Sequence, residues 1–409
     1  MDYPRLRYIQ TSQVNMDGGT RILISDPLHF AKGPLAMPAV TYFIISHFDG
    51  QHSLVDIQEA FARRFGQVLE RDKIEDLVEQ LDQNHYLDSE HFRREVLDVF
   101  YQSPVREMAH ANTCYSSEPE EFSKQAMALF HSNGGPGVPT DGNRHPPSVR
   151  GIIAPHIDLR FGGSCYAWAY KELAERCDAD LFILLGTSHY SMNPSHLFIG
   201  TEKDYKTPLG LAKTDRAFVR ALQQHYREGD LFAEEILHRV EHSLEFQALF
   251  LQYLLGGKRD FAIVPILVSS FHHSVLSQTL PIEDERVRSF VKALKETVVQ
   301  SGKKVCFVAG VDFAHVGQQF GDHGPMKQET IAWVAEEDQR LVQSLEKVDH
   351  ADFFAEIAKN GDKRRVCGFA PMYTFLNVIE ASRGRLLKYG CATDMYPESL
   401  VSFASLAFY

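Results

Sequence analysis

The chain has 409 residues, which at about 150 residues per domain predicts two to three domains. Hydrophobic residues at 44% and charged residues at 23% are globular proportions, and they exclude a disordered, collagen-like or fibrous chain. Forty-two basic against fifty-four acidic residues give a net charge of −12, which repels phosphate backbones and argues against general nucleic-acid binding. The longest apolar runs, such as 182–185 and 261–268, are far short of the roughly 20 residues that span a bilayer. Met1-Asp2-Tyr3-Pro4-Arg5 has neither the basic segment nor the apolar core of a signal peptide. The expectation is a cytoplasmic protein with no membrane partner. Six scattered cysteines without a C-x-x-C pair are neither a disulfide framework nor a zinc ribbon, so they are expected to stay reduced. The unusual count is nineteen histidines. Histidine is the commonest metal ligand and the usual acid–base group near neutral pH.

Residues 1–100 read as a small separate domain. Residues 21–25 form a strand pattern, and 37–47 read as a helix starting after Pro38. Asp49-Gly50 marks a turn. Ser53 with Asp56 three residues on approximates a capping box, followed by Leu54, Ile57, Phe61 and Phe65 at helical spacing and by Gly66 as the stop. Ile74, Leu77, Val78 and Leu81 form a second stripe, and 84–87 reads as a last short strand. This order predicts a winged-helix-like unit. Leu28-His-Phe30, the helix before Asp49-Gly50, Ser53-Leu-Val-Asp-Ile57 and Tyr86-Leu87 resemble the PqqD-like family of peptide-recognition domains over residues 5 to 90. That resemblance implies capture of a peptide or partner protein, physically by strand addition. The bland alternative is a small domain that only packs.

Residues 119–130 have a helical pattern, and 131–149, dominated by Gly, Pro, Asn and Asp, read as a loop. From Arg150 the pattern becomes α/β. Strands are predicted at 151–155, 181–186, 261–268, 304–310 and 400–409. Helices are predicted at 166–177, 214–226, 243–255, 286–300, 326–346 and 371–381. Continuous apolar strands alternating with helices predict a central, mostly parallel sheet with helices on both faces.

In open α/β sheets the site lies beyond the carboxyl ends of the strands. Strand 152–154 runs into Pro155-His156-Ile157-Asp158. Strand 181–185 runs into Gly186-Thr187-Ser188-His189. Strand 305–309 runs into Gly310-Val311-Asp312-Phe313-Ala314-His315. Each histidine alone reads as a loop residue; three at equivalent strand ends point to a shared site. The glycines are expected to let the backbone approach a ligand. Glu241-His242-Ser243-Leu244-Glu245 opens an amphipathic helix, with Ser243 as a capping candidate and His242 as a candidate acid/base. Its alternative reading is a solvated Glu241/Glu245 pair with His242 incidental. Imidazole and carboxylate with open positions suit iron(II), zinc or copper, and two histidines plus Asp312 or a glutamate approximate a facial triad. No phosphate-binding glycine motif occurs. The doublet His272-His273 lies outside this geometry; in a strand its members point to opposite faces. His29, His47 and His85 read as surface or packing residues.

Ala154-Pro-His-Ile-Asp158, Gly186-Thr-Ser-His-Tyr190, Tyr205-Lys-Thr-Pro-Leu-Gly210, Glu241-His-Ser-Leu-Glu-Phe-Gln247, Asp312-Phe-Ala-His315 and Cys367-Gly368 resemble the Memo family in order and spacing. Ala109-His-Ala-Asn-Thr-Cys-Tyr115 looks like that family's N-terminal signature, so the resemblance covers 104–409. The bacterial branch is the AmmeMemoRadiSam system protein B group, whose genomic partners are a radical S-adenosylmethionine protein and a third small protein. The Memo fold is similar to class III extradiol dioxygenases, which hold iron(II) with two histidines and a glutamate. The resemblance implies His156 and His189 as metal ligands and His242 as a catalytic base. It also implies a cysteine ligand within Asp-Phe-Cys-His, where this chain has Ala314. Asp312, His315, Glu241 or water are then the replacement donors.

The expectation is a cytoplasmic metalloprotein with non-haem, oxidoreductase-like chemistry. His156, His189, Asp312 and His315 form its metal shell, His242 and Glu241 are its catalytic pair, and iron(II) is favoured over zinc or copper. Its alternatives are a peptide- or partner-binding scaffold with a vestigial pocket, and a metal-assisted hydrolase.

Overall fold

The computed structural model describes residues 1–16, 19–140, 148–191 and 193–409. Residues 141–147 of the predicted 131–149 loop lie outside the described residues. The chain separates into two compact units, Met1–Ser103 and Pro104–Tyr409.

The first unit opens with β1 (Gln10–Met16), β2 (Gly19–Ser25) and β3 (Leu35–Met37), an antiparallel sheet in that order. Three helices follow: α1 (Ala39–Ile45), α2 (Leu54–Phe65) and α3 (Arg71–Gln83). Ser53 and Asp56 make the predicted capping box on α2, and Gly66 ends it in the left-handed conformation at φ 67°. Ile57, Ile74, Tyr86 and Leu87 lie at the centre of this unit's core. The pattern predicts one strand before α1, whereas the structure has three; β1 is polar and almost wholly exposed, so it carries no apolar alternation to read. The strand expected at 84–87 is a single bridge between Leu6 and Leu87. The unit ends in a helical run made of α4 (Glu90–Phe92), a π-helical turn at Arg93–Asp98 and α5 (Val99–Gln102).

The second unit begins with β4 (Val105–Arg106), α6 (Pro119–His131), β5 (Gly151–Ala154), α7 (Leu159–Arg176) and β6 (Leu181–Thr187). It continues through β7 (Phe198–Gly200), β8 (Asp204–Thr207), β9 (Gly210–Ala212), α8 (Arg216–His225), α9 (His242–Leu255) and β10 (Ala262–Val268). Next come α10 (His272–Ser277), α11 (Glu285–Ser301), β11 (Val305–Gly310), β12 (His315–Gly317), α12 (Gln328–Glu346) and α13 (His350–Ala358). The chain closes with α14 (Phe369–Val378), β13 (Gly384–Ala392) and β14 (Ser399–Phe408).

The main sheet has the order β12-β14-β5-β11-β6-β10-β7, with β13 on β14. Its centre, β5-β11-β6-β10, is parallel, while β7 and the β12-β13-β14 flank are antiparallel. The sheet is mixed, with the expected parallel strands at its centre and antiparallel strands on both flanks. A short connection can join β13 to β14 only antiparallel; a parallel pair needs a crossover of a dozen residues or more. All seven residues of β6 are buried, as a strand covered on both faces requires. Ile183 and Leu185 enter the main core with residues of α11 and α14. Gly186, one residue on, faces the other side, where α9 lies. His272 and His273 open the helix α10 and are both exposed, so the strand reading of that doublet does not hold.

Candidate metal centre

β5, β6 and β11 run parallel, so their carboxyl ends share one edge of the sheet. His156 follows β5, His189 follows β6, and His242 opens α9, which crosses above them. One ring nitrogen of each lies within 4.8 Å of one nitrogen of the others. The ring centroids of His156 stand 4.9 Å from His189 and 5.1 Å from His242, and His189 stacks on His242 at 4.8 Å and 15°.

The Nδ1 atoms of this cluster are engaged. His156 Nδ1 donates to the Gly310 carbonyl at 3.0 Å. His189 Nδ1 donates to Glu241 Oε1 at 2.9 Å, and His242 Nδ1 lies 3.3 Å from the same oxygen. The hydrogen bonds of His156 and His189 take up Nδ1 and leave Nε2 as the ring nitrogen not used by them. A carbonyl or carboxylate behind the ring is how metal-ligating histidines are oriented.

Glu241 is 1% exposed, and both of its oxygens are engaged. Oε2 accepts from the His189 backbone N–H at 2.8 Å, and Oε1 also accepts from Ser243 N–H at 3.1 Å. Glu241, not Ser243, therefore caps α9. Burial alone would raise its carboxyl pKa; the facing His189, with its hydrogen bonds, and His242 outweigh burial and hold it well below the carboxylate range. His189 shows the reciprocal effect: burial lowers it, and Glu241 wins and raises it. Burial holds His156 and His242 far below the usual value, so both are neutral donors at pH 7. The reading of Glu241 and Glu245 as a solvated surface pair is overturned, because both are buried.

Helix α9 is fastened to the strand ends by its own motif residues. Ser243 Oγ donates to the Thr187 carbonyl at 2.8 Å, two residues before His189. Gln247 Nε2 donates to the Pro155 carbonyl at 2.9 Å, one residue before His156. A Cβ on Gly186 would meet Ser243 Oγ at 2.5 Å, and one on Gly310 would meet the Ser243 carbonyl at 2.4 Å. These glycines admit the helix, not a ligand. Behind α9, buried Arg106 pairs with Glu245 and donates to the carbonyls of His238 at 2.8 Å and Glu241 at 2.9 Å. Tyr115 and the His110 N–H also serve Glu245, which accounts for the upstream signature.

Asp312 accepts the His156 backbone N–H on Oδ1 at 3.0 Å, and its Oδ2 lies 3.5 Å from His156 Nε2. Burial pushes its carboxyl up to about 6 against the lowering pull of His315. His315 stands outside the three-ring group: its Nδ1 meets its own Phe313 carbonyl at 3.1 Å and its ring packs on Phe320. Ala314 is fully buried in an apolar cluster with Val316, Val334 and Leu400. The thiol comes from elsewhere, since Cys367 Sγ lies 3.3 Å from His156 Nε2. Cys367-Gly368 is visible as a motif; its role is not, because 211 residues separate Cys367 from His156. His189 and His242 keep 28% and 26% of their side chains exposed while His156 keeps 2%, so the pocket opens on their side.

Fold and site together define an α/β protein with a three-histidine pocket at the carboxyl edge of its sheet. The family model described as Memo-like protein matches residues 106–407, and the chain belongs to that family. A MEMO1 family protein of Aquifex aeolicus is 26% identical over 397 residues, covering 96% of each chain. One of Methanopyrus kandleri is 26% identical over 310 residues, which are 74% of this chain and 98% of its own. One of Pyrococcus furiosus is 31% identical over 265 residues, 62% of this chain and 84% of its own. Among the described residues no helix is long and apolar enough to cross a membrane.

Proposed function

We propose that the pocket is a divalent-metal centre of non-haem redox type, with iron(II) as its working ion. The observation that carries this reading is the set of three imidazoles with their Nδ1 sides engaged and their free nitrogens converging. His156 and His189 hold the ion through Nε2. Asp312 completes the set, and Cys367, reaching the same His156 nitrogen, is the competing donor. Imidazole with carboxylate suits iron, while a thiolate would shift preference towards softer ions. The ion supplies an open position for substrate. His242, half-open and neutral, holds or accepts the substrate proton at its free ring nitrogen, and Glu241 keeps His189 and His242 in register.

The test is anaerobic purification, iron(II) reconstitution and metal analysis. About one bound iron is expected at this pocket, and His156→Ala should hold about one iron fewer than the parent chain. An iron-free parent after reconstitution sinks the proposal. Asp312→Asn and Cys367→Ser then separate the two donors by which loses iron. Three imidazoles around an opening also suit a zinc-held water, which supports metal-assisted hydrolysis as a second reading. Turnover of esters or amides rather than catechols would select it. The first unit offers strand β1, whose outer edge is unpaired among the described residues. That edge supports capture of a peptide or protein by strand addition, with a radical S-adenosylmethionine protein as the partner implied by the family resemblance.

A further inference from the structure

We propose that the first unit carries a second, separate divalent-metal site formed by His85, His91 and Glu95, fitted to an ion of the zinc class. One ring nitrogen of each histidine and a carboxylate oxygen of Glu95 lie within 4.8 Å of one another. The two rings stand 5.4 Å apart.

His85 is the anchor. It follows α3 in the left-handed conformation, φ 62°, uncommon for a residue with a side chain. Its N–H bonds the Asp82 carbonyl at 2.9 Å and its own carbonyl accepts Arg7 Nε at 2.8 Å, so the turn is held from both sides. The residue is 8% exposed. Its Nδ1 donates to the Phe30 carbonyl at 3.2 Å, which leaves Nε2 unprotonated. That Nε2 is buried and has no hydrogen-bond partner. A buried polar atom without a partner is rare and calls for a missing ligand.

His91 and Glu95 complete the set from the surface. They are four residues apart on the run from α4 into the π-helical turn, a spacing that puts two side chains on one face. Single π turns inside helices occur frequently at functional sites. His91 is half-buried and Glu95 exposed, so an ion has an entry path. Two imidazoles and one carboxylate leave a fourth position for water, the pattern of open zinc sites. Bound there, an ion would tie the Glu90–Gln102 run to the turn after α3.

The test uses the tag-free full-length chain carrying His156→Ala and His189→Ala, titrated with Zn²⁺ calorimetrically and with Co²⁺ by visible absorption. One equivalent is expected to remain, and adding His91→Ala or Glu95→Gln should weaken it at least tenfold. Both added changes alter partly or fully exposed side chains, and circular dichroism checks the fold. As a second measurement, His91→Ala in the otherwise unchanged chain should lower total zinc by one equivalent. No binding in the His156/His189 variant with the second measurement also unchanged, or equal affinity with and without His91, overturns the proposal.

Discussion

Replacing Glu241 with glutamine tests whether the buried carboxylate sets the metal pocket. The side chain keeps its size and loses its charge. Oε1 faces three donors, His189 Nδ1 at 2.9 Å, Ser243 N at 3.1 Å and His242 Nδ1 at 3.3 Å. Oε2 faces one, the His189 backbone N–H at 2.8 Å. The amide oxygen therefore takes the Oε1 place, and the NH₂ group is forced against the His189 N–H. One buried donor–donor contact costs about 1–3 kcal/mol of stability. Removing the carboxylate behind a ligating histidine costs about 10–100-fold in metal affinity, or roughly 1.4–2.7 kcal/mol. The assay is zinc competition against a chromogenic chelator at pH 7, in a His91→Ala background so that one class of site is read. Thermal unfolding of the same samples gives the stability change. Affinity within threefold of the parent, with an unchanged melting temperature, would refute the orienting role of Glu241.

Arg106→Met leaves Glu245 charged and buried without its partner, and should cost about 3–5 kcal/mol, read as a lowered melting temperature; adding Glu245→Gln should restore part of it. Gly310→Ala brings a Cβ to 2.4 Å from the Ser243 carbonyl, so α9 must shift; the expected cost is about 1–3 kcal/mol together with weakened metal binding, and a variant with parental metal affinity would count against the close crossing. His238 is held down to about 3 by burial, bonded to Tyr205 and to the Ile199 carbonyl. An unfolded histidine takes up a proton near pH 6.5 and the folded one does not, so this stability is complete above about pH 6.5 and is lost as pH falls towards 3. Between pH 7 and 5 the loss from this group is about 2 kcal/mol. His238→Gln keeps both hydrogen bonds, and its urea unfolding should be flatter by that amount over the same range; an unchanged slope would exclude His238 as the source.

The sequence carries the second unit's framework well, because β6, β10 and β11 are apolar runs of strand length set between helical patterns. It carries the first unit's sheet poorly. β1, Gln10–Met16, is mostly polar and almost wholly exposed, so its pairing to β2 is what makes it a strand. Tertiary pairing of that kind leaves no period to detect. The sites divide in the same way. His156 and His189 are legible by position, since each follows a buried strand and topology puts both on one edge. His315 follows the same rule and still stands outside the three-ring group, because its backbone is drawn into β12 against β14 and its ring onto Phe320. A strand end fixes where the backbone goes, and the next two or three residues decide where the side chain points.

The family resemblance puts a cysteine at the position of Ala314, whereas in space the thiol beside His156 is that of Cys367. Position 314 faces Val334 and Leu400, so a cysteine there would meet an apolar wall. The thiol that reaches His156 comes just before α14, held by Thr187 Oγ1 on the Cys367 carbonyl at 3.1 Å and by the close approach of Gly368 to the Asp312 carbonyl. A side chain on Gly368 would stand 2.6 Å from that carbonyl and push Cys367 outward. The pair Cys367-Gly368 thus works as one unit, the glycine allowing the depth at which the thiol meets the imidazole. The same logic explains Gly310 with α9, and it makes small residues beside the donors as informative about the pocket as the donors themselves.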